Sequence, residues 1–168
     1  TYMTTQIKLR PQRVTDAKRF FEILSNPKFI YFYSIPKTLQ DEIDYLKGNA
    51  KRRKENIEHN FTILCDGKVV GGAGMKIRQE NDFIGEIGYF IAEESWGKGI
   101  ATKAVKLLEK IGFTKLKLKR IEAIMDTRHI GSEKVAIKAG YNKEGIMKSA
   151  IRNGKRYYDG LLYAKIKK

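Results

Sequence analysis

Apolar and polar residues alternate in some stretches of this chain and recur at helical spacing in others, which places its elements before any chemistry is considered. Residues 7–10 read as a short first strand. Residues 61–65 and 69–77 read as two strands joined by Asp66-Gly67, a pair suited to a tight hairpin. Residues 83–92 and 120–126 alternate as well, and residues 141–151 and 155–167 close the chain as two strands around Asn153-Gly154. Helical spacing appears at Ala17, Phe20, Phe21 and Leu24, with Thr15 as N-cap and Asn26-Pro27 as the stop. It returns at Ile43, Leu46 and Ala50 behind a Thr38/Asp41 capping box. A longer helix over residues 102–115, after the glycine-rich turn, sets Ile100, Ala104, Leu107, Leu108 and Ile111 against Lys103, Lys106 and Lys110; Gly112 interrupts it at a cost of about 1 kcal/mol. Residues 130–139 form a short helix ended by Gly140. The expectation is one mixed α/β domain over residues 1–168. Its central sheet is twisted and mostly antiparallel, with six to seven strands and about four flanking helices.

Composition narrows the class. With 168 residues and 42% hydrophobic content the chain can bury a real core. No apolar run reaches the ~18 residues of a transmembrane helix, and no signal peptide is visible, so no membrane association is expected. Met3 reads as the native start. The single cysteine, Cys65, excludes an internal disulfide; it fits a reducing cytoplasm and a buried structural thiol. Only His59 and His129 are present, no Cys/His cluster has metal-ligand spacing, and no metal is expected. The net charge of +15 attracts polyanions, so nucleic-acid or ribosome association is a rival to a plain lysine-rich surface.

The chemistry concentrates at Trp96-Gly97-Lys98-Gly99-Ile100-Ala101-Thr102, between a strand and a helix. A glycine-rich helix entry presents backbone N–H groups without intrahelical partners, and with the helix dipole they form a phosphate cradle. Leu9-Arg10-Pro11 with Asp16-Ala17, Glu86-Ile87-Gly88-Tyr89, this turn, Arg120-Ile121-Glu122-Ala123, Ser132 to Gly140-Tyr141, and Asn153-Gly154-Lys155 with Asp159 and Tyr163 follow in order. In this order and spacing the chain resembles the GCN5-related N-acetyltransferases (GNAT), in the branch of the ribosomal-protein N-terminal acetyltransferases RimJ and RimL. Trp96 stands where that family's signature has Arg or Gln.

The resemblance implies acetyl-CoA as cosubstrate, no metal, and direct acetyl transfer to an amine. It implies coenzyme contacts from Trp96, Gly97, Lys98, Gly99, Ile100, Ala101 and Thr102, and carbonyl-directed backbone N–H groups at Phe90 and Ile91. Ser132 is the implied hydrogen-bond or proton donor to the coenzyme sulfur; a helix-capping role is its alternative. Many family members place a tyrosine four residues further along, where this chain has Ala136. His129 occupies the place of a coenzyme-contacting Asn, and Lys98, Lys134 and Lys138 are candidates for the coenzyme phosphates. Glu86 is the candidate general base, since a carboxylate this far inside a strand otherwise needs a hydrogen-bonding partner. The region around Asp159 is implied to shape the acceptor end.

The favoured acceptor is a protein N-terminal α-amine. The alternatives are a small-molecule amine (antibiotic or polyamine) and a non-catalytic nucleic-acid-binding module. Monomer and homodimer both stay open. The positive charge argues for a neutral or acidic acceptor, although Asp41, Glu42, Asp44, Glu55 and Glu58 leave room for a local acidic pocket.

Overall fold

A computed structural model describes residues 4–168, and Met3 lies outside the described residues. Seven strands form one sheet in the order β1-β2-β3-β4-β5-β7-β6. They are β1 (Ile7–Pro11), β2 (Glu58–Cys65), β3 (Lys68–Ile77), β4 (Ile84–Ile91), β5 (Arg120–Asp126), β6 (Asn142–Asn153) and β7 (Arg156–Ile166). All neighbours pair antiparallel except β4 and β5, which are parallel. The helices are α1 (Ala17–Leu24), α2 (Leu39–Lys47), α3 (Asn49–Lys54), α4 (Ile100–Thr114) and α5 (Ile130–Lys138). Among the described residues no helix is long and apolar enough to cross a membrane.

Local chemistry explains most boundaries. Asp66 (φ 49°) and Gly67 (φ 81°) take the two left-handed positions of the β2–β3 hairpin. Thr38 Oγ1 accepts the Asp41 N–H at 3.1 Å, and Asp41 Oδ2 accepts the Thr38 N–H at 3.0 Å, completing the capping box of α2. The segment read as a single helix from Thr38 onward divides at Gly48, whose N–H turns back to Tyr45 O while its carbonyl starts α3. Thr15 does not cap α1. Asp16 takes over the start of this segment by accepting the Arg13 N–H at 2.9 Å, both Arg10 guanidinium nitrogens at 2.7 and 2.8 Å, and the Thr62 hydroxyl at 2.7 Å. Burial pushes the Asp16 pKa up, but these donors outweigh it and hold the carboxyl below its usual range.

Ile63, Met75, Ile87 and Ile121 pack against Ala104 and Leu108 of α4 on one face of the sheet. Gly112 belongs to this contact: a Cβ there would stand 2.9 Å from Ile121 Cδ1 and 3.0 Å from Met75 Cε. The glycine therefore lets α4 approach the sheet closely, which accounts for its place in a helix. Phe20 and Leu46 cover the other face and pack with Phe90.

One irregularity makes the site. β4 and β5 are paired only from Ile84↔Arg120 to Ile87↔Ala123. Beyond that, β4 continues with β3 to Ile91, and β5 continues with β7 to Asp126. The parallel strands diverge and open a cleft.

Candidate active site

Hydrogen-bond parity decides which backbone groups of β4 face the cleft. At its two ends Arg78 N–H donates to Ile84 O and Ala92 N–H to Val70 O. Antiparallel pairing alternates, so even-numbered β4 residues direct their N–H and C=O at β3 and odd-numbered ones direct theirs at the splay. The Ile91 N–H therefore points toward the splay, although Ile91 lines neither cavity. The Phe90 N–H does not: it belongs to the β3 ladder, and the second donor on the cleft side is Tyr89. The Phe90 ring instead packs on Phe20 and Phe32, with centroids at 5.1 and 5.6 Å, and lines a cavity.

Two cavities meet at residues 86–89. The first, about 490 Å³, lies between β2–β4 and the α2 side; the second, about 460 Å³, runs between the splayed strands and α5. Glu86 lines both, and its carboxylate has no hydrogen-bond partner among the described residues. Its cross-strand neighbours are Lys76 and Glu122. Glu86 is exposed to these cavities, yet the hydration it loses to the surrounding protein pushes its pKa up; Lys76 opposes this, Glu122 adds to it, and the net shift is upward.

Ser132, in the first turn of α5, lines the second cavity, and its hydroxyl lies 3.2 Å from the Tyr89 hydroxyl. The side chain of the α5 N-cap residue, His129, makes no cap bond. Burial raises the Tyr89 pKa more than the Ser132 contact lowers it, so the phenol stays protonated. Tyr89 belongs to the motif Glu86-Ile87-Gly88-Tyr89, and only the fold brings its hydroxyl to Ser132.

His129 lines the second cavity, stacks on Tyr31 at 5.0 Å and donates its backbone N–H to Asp126 O. Burial lowers its pKa more than Asp126 raises it, leaving the ring neutral at pH 7. Arg128 holds Asp126 through contacts of 2.9 and 2.7 Å and brings its pKa to about 2. Asp126 in turn accepts the Tyr33 hydroxyl at 3.0 Å, tying the segment after α1 across the cleft. Asp159 lines neither cavity. It accepts the Ser149 N–H at 2.9 Å and holds the irregular stretch of β6 whose Met147, Ala150 and Ile151 line the second one.

Trp96 braces the glycine turn. Its indole N–H donates to Ile91 O at 2.7 Å and its backbone N–H to Glu93 O at 3.0 Å. Gly97 and Gly99 are left-handed, at φ 72° and 74°, with open space where each Cβ would stand. Among the described residues, the N–H groups of Gly97, Lys98, Gly99, Ile100, Ala101 and Thr102 have no backbone acceptor; the α4 ladder starts with Lys103 N–H to Gly99 O. Six adjacent donors at the positive end of a fifteen-residue helix fit a pyrophosphate. Val105 of α4 lines the second cavity, ~9 Å along the helix from Gly99. Lys98 and Lys134 are exposed.

A model of the acetyltransferase (GNAT) domain matches residues 6–142. The chain belongs to the GNAT acetyltransferase family. It is 34% identical over 157 residues to the probable N-acetyltransferase YjcK of Bacillus subtilis, covering 87% of this chain and 86% of that one. It is 28% identical over 150 residues to the spermidine N(1)-acetyltransferase of Escherichia coli K12, covering 88% and 80%. The fold superposes with TM-score 0.86 on RimL, a ribosomal L7/L12 alpha-N-protein acetyltransferase solved with coenzyme A, at 19% identity and 97% and 95% coverage. The chain is an N-acetyltransferase with the family's mixed α/β architecture.

Proposed function

We propose that the chain moves the acetyl group of acetyl-CoA directly to a primary amine, without an acyl-enzyme. The observation that carries this reading is Glu86, the carboxylate where the two cavities meet. The free N–H groups of residues 97–102 would hold the pyrophosphate, and the splay would take the thioester arm. The cleft-facing N–H groups of Tyr89 and Ile91 would stabilise charge building on the acetyl oxygen. Glu86 accepts the proton lost by the amine, directly or through a water. As the C–N bond forms and the C–S bond breaks, Ser132, with the protonated Tyr89 behind it, gives a hydrogen bond or proton to the sulfur.

For the acceptor we take a protein N-terminal α-amine, the class that RimL acts on. A small cationic amine is the second reading, favoured by the likeness to the spermidine enzyme. The test is mass spectrometry of acetylation across N-terminal peptides and small amines, with the parent chain and Glu86→Gln. A lost general base costs about 10²-fold in kcat. The Glu86 carboxyl sits above the usual range, so its basic form grows as pH rises through that raised value, and kcat/KM climbs with it. Glu86→Gln should remove this acid limb. A variant with the parent kcat and pH profile would return Glu86 to a structural role. Salt-sensitive RNA binding without any acetyl-CoA turnover would favour the nucleic-acid module.

A further inference from the structure

The first cavity contradicts the charge of the whole chain. Among the described residues, its charged walls are Asp41, Glu42, Glu58 and Glu86, against Lys76 as the single basic residue lining it. Two of the four carboxylates are already engaged. Asp41 caps α2, and Glu58 accepts the Tyr45 hydroxyl at 3.0 Å with Arg52 Nε at 3.8 Å. Glu86 is the candidate base. Glu42 is left over: only 7% exposed, lining the cavity, and without a hydrogen bond or ion pair among the described residues.

Burying a carboxylate without a partner is costly, and a fold keeps one when something else completes it. Among the described residues no three acidic or imidazole groups are placed to hold a metal ion. The carboxylates are spread around a cavity of about 490 Å³ instead, which suits an extended organic cation.

We infer that Glu42 is the anchor for a second positive charge on the acceptor, so that the preferred substrate is a primary amine bearing another ammonium or guanidinium group. The reacting amine lies at Glu86, and the second cation pairs with Glu42. This rests on the transferase reading above and narrows its acceptor. A diamine supplies this chemistry, and so does a peptide N-terminus followed by Lys or Arg.

The experiment compares 1,4-diaminobutane with butylamine, and peptides bearing Lys with peptides bearing Glu at the second position. Parent, Glu42→Gln and Asp44→Asn are used, with melting temperatures to confirm folding. Asp44 is on the same helix but does not line the cavity. The parent should prefer the dicationic acceptor in kcat/KM by about tenfold or more, in the range of a poorly hydrated charge pair. Glu42→Gln should bring that ratio toward one, and Asp44→Asn should retain it. A preference confined to the amines or to the peptides identifies the source and supports the inference. Equal use of the paired acceptors, or a preference that survives Glu42→Gln, overturns it. No turnover of any amine would instead defeat the transferase reading. Calorimetry of 1,4-diaminobutane against butylamine in the parent and Glu42→Gln then still decides whether Glu42 holds a cation.

Discussion

Gly85 and Gly88 lie three residues apart on β4, and their surroundings give them opposite jobs. A Cβ at Gly85 would stand 2.6 Å from Met75 Sδ and 2.7 Å from Leu118 Cδ1, inside the closed core. A Cβ at Gly88 would meet nothing within 4 Å, because it would enter the space where the two cavities join. Gly88 has no positive φ, so a strand-favouring valine is free of backbone strain there. Strand propensities span about 1 kcal/mol, and for a chain of this size that is ~2–4 °C in Tm. Gly88→Val should therefore melt at or above the parent temperature. Its branched side chain would stand between Glu86 and Phe90 on their shared face, and a displacement of about 1 Å at a reacting centre costs on the order of 10²-fold in rate. Gly85→Ala should do the reverse. Overpacking costs about 1–3 kcal/mol, and the flexible Met75 thioether keeps this case near the lower end, so a Tm loss of ~2–8 °C with kcat/KM retained is expected. Thermal melts and acetyl-CoA turnover on both variants make the comparison. Full activity in Gly88→Val, or loss of activity in Gly85→Ala without loss of Tm, would refute the assignment of the cleft.

Gly99→Val should raise the Kd for coenzyme A by about tenfold or more in calorimetry. Left-handed strain of roughly 1–2 kcal/mol would be shared with Gly99→Ala, so equal affinities in the two variants would attribute the effect to strain instead of to a filled cradle. Ser132→Ala and Tyr89→Phe should each lower kcat. The double variant should lose less than the product of the two losses, because the hydroxyls act as a unit at 3.2 Å; independent effects would separate Tyr89 from the sulfur.

What was legible in the sequence was local. The Asp66-Gly67 hairpin, the Thr38/Asp41 box and the glycine entry to α4 each depend on residues a few positions apart; the first two form as read, and α4 starts at Ile100, two residues before the position read. What was not legible needed partners from afar. Asp16 precedes α1 without capping it, because its carboxylate is taken up by Arg10 and by Thr62, forty-six residues away. Ser132 finds its neighbour Tyr89 forty-three residues back. The choice of Tyr89 over Phe90 as a cleft-facing donor follows from the β3–β4 hydrogen-bond phase, which alternation of side chains does not reveal.

Charge shows the same division most clearly. The sum of +15 argues against a cationic acceptor, and the run Lys51-Arg52-Arg53-Lys54 adds to that sum. In the fold these residues lie on α3 and do not line the first cavity, and Arg52 stacks over Tyr45 at 4.1 Å. Carboxylates of α2, β2 and β4 line that cavity instead, and of these Glu42 is buried. Exposed charges are screened beyond ~8–10 Å at physiological salt, whereas a poorly hydrated pair at contact is screened far less. The long-range field therefore opposes a dication while it approaches, and the cavity favours it once it arrives. Raising salt from about 10 mM to 150 mM should accordingly increase kcat/KM for 1,4-diaminobutane, since it weakens the repulsion more than the contact. Stopped-flow or steady-state rates across that range test this. A steep fall with salt would mean that attraction, not repulsion, governs the approach, and the separation of global from local charge would be wrong.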